Sequence, residues 1–144
     1  MFRLICMIIG YCIGCIETAH VIGKLWGVDL RKHGSGNLGT TNTLRVLGKK
    51  AGAMVFIGDI LKSVIAYLIC RAVFKDNGTI AGLFGSAGAI LGHNYPFYLN
   101  FKGGKGIAVM IGMTGLWPLQ RISVWPFPQP SSALVWLLQQ DMFL

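Results

Sequence analysis

The chain has 144 residues, of which 53% are hydrophobic and only 12% charged, about half the charged share of a typical soluble domain. That balance argues against a disordered chain and against an ordinary soluble domain. The net charge of +8 comes from 13 Lys and Arg against 5 Asp and Glu. In a chain this apolar it points to basic loops beside a bilayer, or to a site for anions, rather than to nucleic acid.

The first apolar stretch runs from about Leu4 to Trp26. At 1.5 Å per residue it reaches ~35 Å and can cross a bilayer, so it is read as one retained span rather than a cleaved signal peptide. Its second half carries Glu17, His20 and Lys24. Glu17 and His20 are three residues apart and share a face. Either they face protein or a wet cavity, or they snorkel at an interfacial helix end. Cys6, Cys12, Cys15 and Cys70 all lie in apolar segments. Cys12 and Cys15 form a C-x-x-C without a second pair, which reads as small residues at a helix interface rather than a metal or redox site.

Gly27 to Lys50 is a polar, basic loop. A second span is expected over Ala51 to Phe74, with Asp59 and Lys62 at i,i+3 forming an internal ion pair. The turn Lys75-Asp76-Asn77-Gly78 breaks it. Ile80 to Leu91 is a shorter Gly-rich apolar run that either extends through Tyr98 or forms a broken helix. A second basic loop holds Lys102 and Lys105, and the chain is apolar again from Ile107. Counting Lys and Arg per loop places the N-terminus outside and both basic loops in the cytoplasm.

Those two loops carry the candidate chemistry. The first, Arg31 to Arg45, interleaves Gly34, Gly36 and Gly39 with Ser35, Asn37, Thr40, Thr41 and Asn42. Flexible backbone amides, neutral hydrogen-bonding groups and a bidentate Arg45, opening onto a helix N-terminus, make an anion site. In the second, Gly92 to Gly106, Lys102 and Lys105 flank Gly103 and Gly104, and His93 sits at the membrane edge. The spacing is not that of a Walker A loop. These residues imply a helical membrane protein with a cytoplasmic site for one or two phosphate-bearing ligands, without identifying a reaction.

The segments H-G-S-G-N-L-G-T-T-N-T-L-R and G-H-N-Y-P-F-Y-L-N-F-K-G-G-K-G-I-A closely resemble the first two signature motifs of the bacterial acyl-phosphate-dependent (PlsY-type) membrane glycerol-3-phosphate acyltransferases. The resemblance runs from about residue 4 to 112. It implies an all-α, polytopic integral membrane helix bundle of about seven helices in the bacterial inner membrane, of which this length holds about four. It further implies transfer of a fatty acyl group from acyl phosphate to the 1-hydroxyl of glycerol 3-phosphate, giving lysophosphatidate, with neither metal nor nucleotide cofactor. By the same resemblance Ser35, Arg45 and Lys105 bind the glycerol phosphate, with Lys102 nearby. Asn37, Thr41, Asn42 and the Gly103-Gly104 turn hold the acyl phosphate, within a frame set by Gly34, Gly36 and Gly39. His93 falls on a motif histidine. Cys15-Ile16-Glu17 stands where many members have a Ser-x-Pro-like turn, and Val109 where Thr is common.

Beyond Met113 the character changes. Pro126, Pro128 and Pro130 fall within W-P-F-P-Q-P, and helical periodicity is lost. The genetic code permits this tail, read one base out of step, to encode an apolar helix ending in Thr-Arg-Tyr-Val-Ser. Residues 1–113 are therefore expected to be the N-terminal part of an acyltransferase, and residues 114–144 an out-of-frame tail. The family's third motif, a distal His/Asn/Arg/Glu segment, is absent from the sequence. The competing expectation is a non-catalytic membrane protein that binds phosphate or anionic lipid, or packs on a full-length partner. Neither reading fixes an oligomeric state.

Overall fold

A computed structural model of the protein describes residues 1–116. Six α-helices follow one another: α1 (Phe2–Gly14), α2 (Thr18–Leu25), α3 (Thr40–Leu47), α4 (Lys49–Val73), α5 (Gly78–Asn94) and α6 (Ile107–Gly115). Among the described residues there is no strand. Two stretches, Phe2–Leu25 and Lys49–Val73, are long and apolar enough to cross a membrane.

The bundle is held by small residues. On α1, Gly10 and Gly14 lie against the carbonyls of Gly85 and Ala89; on α5, Gly88 and Gly92 lie against those of Met7 and Tyr11. Any Cβ at these four positions would overlap backbone, so the two helices meet main chain to main chain. In a bilayer, where lipid is as apolar as leucine, such small-xxx-small seams are what draws helices together. Gly82 takes the Tyr67 ring of α4, and a Cβ on Gly112 of α6 would stand only 2.6 Å from the Ile60 carbonyl. Ser86 adds a hydrogen bond to the Ser63 carbonyl at 3.1 Å.

Burial is inverted relative to a soluble domain. Glu17, Asp59, Lys62 and His93 are buried, while Ile57, Leu61, Ile65 and Leu68 of α4 are 46–56% exposed along one stripe. A stripe of exposed aliphatics around a polar interior suits a hydrocarbon surround and would be costly in water.

Three expectations are corrected. The first apolar stretch is not one continuous helix: it breaks at Cys15-Ile16-Glu17, and Glu17 is extended (φ −78°, ψ 98°). The freed backbone finds partners, since the Tyr98 hydroxyl donates to the Cys15 carbonyl (2.8 Å) and the Lys62 ammonium to the Ile16 carbonyl (3.1 Å). Irregular backbone at this depth is tolerable only with such partners. Second, the polar loop Gly27–Lys50 is not all loop, because α3 forms in its second half. Third, Cys12 is exposed, whereas Cys6, Cys15 and Cys70 are buried at helix contacts as expected; all four are free thiols. The Asp59–Lys62 pair forms as read, at 3.0 Å. The run from Ile80 resolves into one helix, α5, which ends at Asn94. The boundary at residue 113 falls inside α6, and the tail from residue 117 on lies outside the described residues.

Candidate active site

Both glycine-rich loops lie at the same end of the bundle, where α1 ends and α5 ends. Tyr11 of α1 donates to the Tyr95 carbonyl at 2.8 Å, and the Tyr98 bond just described ties the second loop to the break in the first span.

The first loop is folded around two side chains. Asp29 caps a short turn, Leu30–Lys32, accepting from the Arg31 amide (3.2 Å) and from its guanidinium (3.0 and 3.1 Å). Those hydrogen bonds from Arg31 hold the Asp29 carboxyl down at about 2. Asn42, on α3, is the second organiser. Its Oδ1 accepts from the Ser35 amide at 2.8 Å, and its Nδ2 donates to the carbonyls of Leu30 and His33, each at 3.1 Å. Gly34, with φ +60°, leaves room for that amide, because a Cβ there would strike Asn42 Oδ1. Both amide hydrogens of Asn42 are thus spent on loop carbonyls. Asn42 is 2% exposed and staples the loop that presents Ser35.

The second loop folds back on the end of α5. The Gly103 amide donates to the Asn94 carbonyl (3.1 Å) and the Gly104 amide to that of His93 (3.0 Å). A Cβ on Gly104 would overlap His93 Nε2, so the imidazole lies flush against this turn. Phe101 has φ +58°, a costly conformation for a bulky side chain and of the kind that collects at functional sites.

Between the loops is a cavity of about 390 Å³. Ser35, Asn37, Gly39, Thr41 and Asn42 line one wall with Arg45; His93 and Lys105 line the other. With Thr40, nine of the loop residues singled out from sequence therefore meet around one space. Gly34, Gly36, Gly103 and Gly104 shape its walls without lining it, and Lys102 is exposed outside it. Sequence reasoning did not place Phe56, Asp59, Gly106, Ile107 or Ala108 in the wall. Asp59 had been read only as a partner of Lys62, and Phe56, three residues before it, shares its helix face, a signal that was available. Thr40 also lines the cavity, and its hydroxyl is buried without a hydrogen-bond partner.

Beneath the cavity lies a cluster of four ionisable side chains. Lys62 Nζ is 3.0 Å from Asp59 Oδ1 and 2.8 Å from His93 Nδ1. His93 Nδ1 is 3.1 Å from Glu17 Oε1 and 3.8 Å from Asp59 Oδ1. The Thr18 hydroxyl donates to Asp59 at 3.0 Å. Of the two readings of Glu17 and His20, Glu17 faces the protein interior and is fully buried, while His20 is partly exposed. Among the described residues no group of His, Cys, Asp and Glu is arranged to hold a metal ion.

Residues 4–138 match the glycerol-3-phosphate acyltransferase family. The chain belongs to that family. It is 49% identical over 109 residues to a glycerol-3-phosphate acyltransferase of Exiguobacterium sibiricum, covering 74% of this chain and 51% of the relative. A relative of the same name from Aquifex aeolicus is 43% identical over 137 residues, covering 95% of this chain and 67% of the relative. The crystal structure of PlsY (YgiH), an integral membrane glycerol 3-phosphate acyltransferase in its glycerol 3-phosphate form, superposes with a TM-score of 0.67 at 45% identity, over 77% of this chain and 55% of that one. Its lysophosphatidic acid form gives the same TM-score at 43% identity, over 78% and 55%. The chain spans about half the length of most curated relatives it matches. Its fold is that of an all-helical integral membrane acyltransferase family. The family match runs past residue 113.

Proposed function

We propose that this cavity is the substrate site of an acyl transfer from acyl phosphate to the 1-hydroxyl of glycerol 3-phosphate, forming lysophosphatidate and inorganic phosphate at the cytoplasmic face of the bacterial cell membrane. Ser35, Arg45 and Lys105 hold the glycerol phosphate. Asn37, Thr41 and the Thr40 hydroxyl face the acyl phosphate, on the frame built by Gly39, Asn42 and the Gly103-Gly104 turn. Two anions must approach for the reaction to occur, and Arg45 and Lys105 offset their repulsion. The hydroxyl oxygen attacks the acyl carbonyl carbon and forms the new ester, the C–O bond of the carboxylic–phosphoric anhydride breaks, and the hydroxyl proton leaves on the departing phosphate. Phosphate is a good leaving group, so holding the reactants in line supplies most of the rate without a protein nucleophile.

The observation that carries this reading is that Arg45 and Lys105, from loops far apart in sequence, line one cavity with Ser35 and His93. The full chain in liposomes, given acyl phosphate and glycerol 3-phosphate, is expected to form lysophosphatidate, and Arg45→Ala to lower that rate by about 10²–10³, the loss typical of removing one charge-stabilising donor, with insertion intact. Saturable phosphate binding without turnover would instead favour a non-catalytic phosphate-binding membrane protein. The acyltransferase part is proposed to occupy residues 1–113, and the nucleotide sequence through codons 105–144 tests that division.

A further inference from the structure

The four ionisable groups under the cavity leave little freedom over where their protons sit. Lys62 Nζ has three acceptors in reach: Asp59 Oδ1 at 3.0 Å, the Ile16 carbonyl at 3.1 Å and His93 Nδ1 at 2.8 Å. An ammonium carries three N–H donors and no lone pair. Beside the Asp59 carboxylate, Lys62 is that ammonium, so at 2.8 Å the histidine nitrogen must be the acceptor. We propose that Lys62 is a positioning residue that fixes His93 as the neutral tautomer protonated at Nε2, making His93 a hydrogen-bond donor at the cavity rather than a general base.

The rest of the cluster agrees. The Nε2 edge of the ring lies against Gly104, in the wall that Lys105 also lines. Glu17 Oε1 is 3.1 Å from His93 Nδ1, and neither Glu17 oxygen accepts a hydrogen bond. The Asp59–Lys62 pair is neutral as a unit, and a ring that accepts from Lys62 adds no charge to this dry interior. The break at Cys15-Ile16-Glu17 is what supplies the Ile16 carbonyl, so the irregular backbone of the first span sets the tautomer of a residue on α5.

The inference rests on the place of His93 in the cavity of the proposed function, but its test does not need turnover. The full chain, labelled with ¹⁵N-histidine and reconstituted in lipid nanodiscs, is read by NMR of the ring nitrogens, with His93→Gln assigning the signal among the 3 histidines. His93 is expected to show an unprotonated, hydrogen-bonded Nδ1 and a protonated Nε2 between about pH 6 and 8, where an ordinary histidine changes charge. Lys62→Arg and Glu17→Gln should preserve that pattern, the first because it keeps a cationic donor, the second because it leaves the Lys62 donor in place. Lys62→Met, where it folds, should lose it. A protonated Nδ1 in the unmodified protein, or a reversal of the tautomer in Glu17→Gln, would overturn the proposal. Acyl transfer gives a second reading: His93→Gln, which keeps an N–H donor, should retain at least about tenfold more activity than His93→Ala, and equal loss in both would count against a donor role.

Discussion

Glycine does two different jobs in the two halves of this molecule. In the seam between α1 and α5, Gly10, Gly14, Gly88 and Gly92 have ordinary helical backbone and are required because the opposing main chain stands where a side chain would be. In the loops around the cavity, Gly34, Gly36 and Gly106 have φ of +60°, +70° and +71°, a region that residues with a Cβ rarely enter. One set lets helices approach and determines stability. The other lets the chain turn sharply and present side chains to a ligand. The buried Glu17–Asp59–Lys62–His93 cluster joins the two regions, since His93 stands on the seam helix α5 and both it and Asp59 line the cavity.

The sharpest break of that junction is Asp59→Asn with Lys62 retained. It leaves a buried ammonium without its carboxylate, and about 3–5 kcal/mol of stability should be lost, read as a fall in thermal midpoint in detergent and in yield of monodisperse protein. Normal yield and stability would show that Ile16 and His93 suffice to hold Lys62. Next in size is the seam itself. Gly88→Leu places side-chain atoms on the Met7 carbonyl and should cost about 3 kcal/mol, the upper end of ordinary overpacking, whatever its effect on the cavity.

A loop glycine should behave differently. Gly104→Ala pushes against His93 Nε2 and the Leu38 carbonyl. Its stability should fall by about 1–3 kcal/mol, and acyl transfer and the His93 ring signals should change measurably. Gly88→Ala should cost stability while leaving the His93 ring signals in place, and the same change of ring signals in both would erase the distinction between the regions. The smallest effect is expected at Asp29, on the exposed turn. Its folded-state value of about 2 lies below the usual carboxylate value of about 3.9. The stabilisation it gives is therefore present above about pH 4 and lost as pH falls through about 2. Carboxyl ¹³C titration should show the depressed midpoint, and Arg31→Ala should return it toward the ordinary value.

Much of the fold was legible in the sequence because each span buries or exposes its residues locally. The second span announced itself by length, and Asp59 with Lys62 by their i,i+3 spacing. The two glycine-rich motifs marked the loops that surround the cavity. What could not be read was anything that depends on partners distant in the chain. The composition of Leu4 to Trp26 is that of one continuous span, yet the chain breaks because Tyr98 and Lys62 satisfy the opened backbone. That Asn42 holds the loop, through Ser35, Leu30 and His33, depends on the fold and not on the motif. Lys102 and Lys105 are equivalent in charge and flank the same glycine pair, but only Lys105 lines the cavity.

By itself, then, the sequence determined the helical, membrane-embedded character of the protein, its family, and the two loops that surround the cavity. Those follow from hydrophobic length, glycine content and local motif, which are properties of contiguous residues. Tertiary structure alone decided which of the loop side chains share one cavity, that Glu17 and His93 meet Asp59 and Lys62, and how the charges of that cluster must balance. These are decided by close approach in a low-dielectric interior, where a few ångströms settle whether a proton is shared or a charge is left alone.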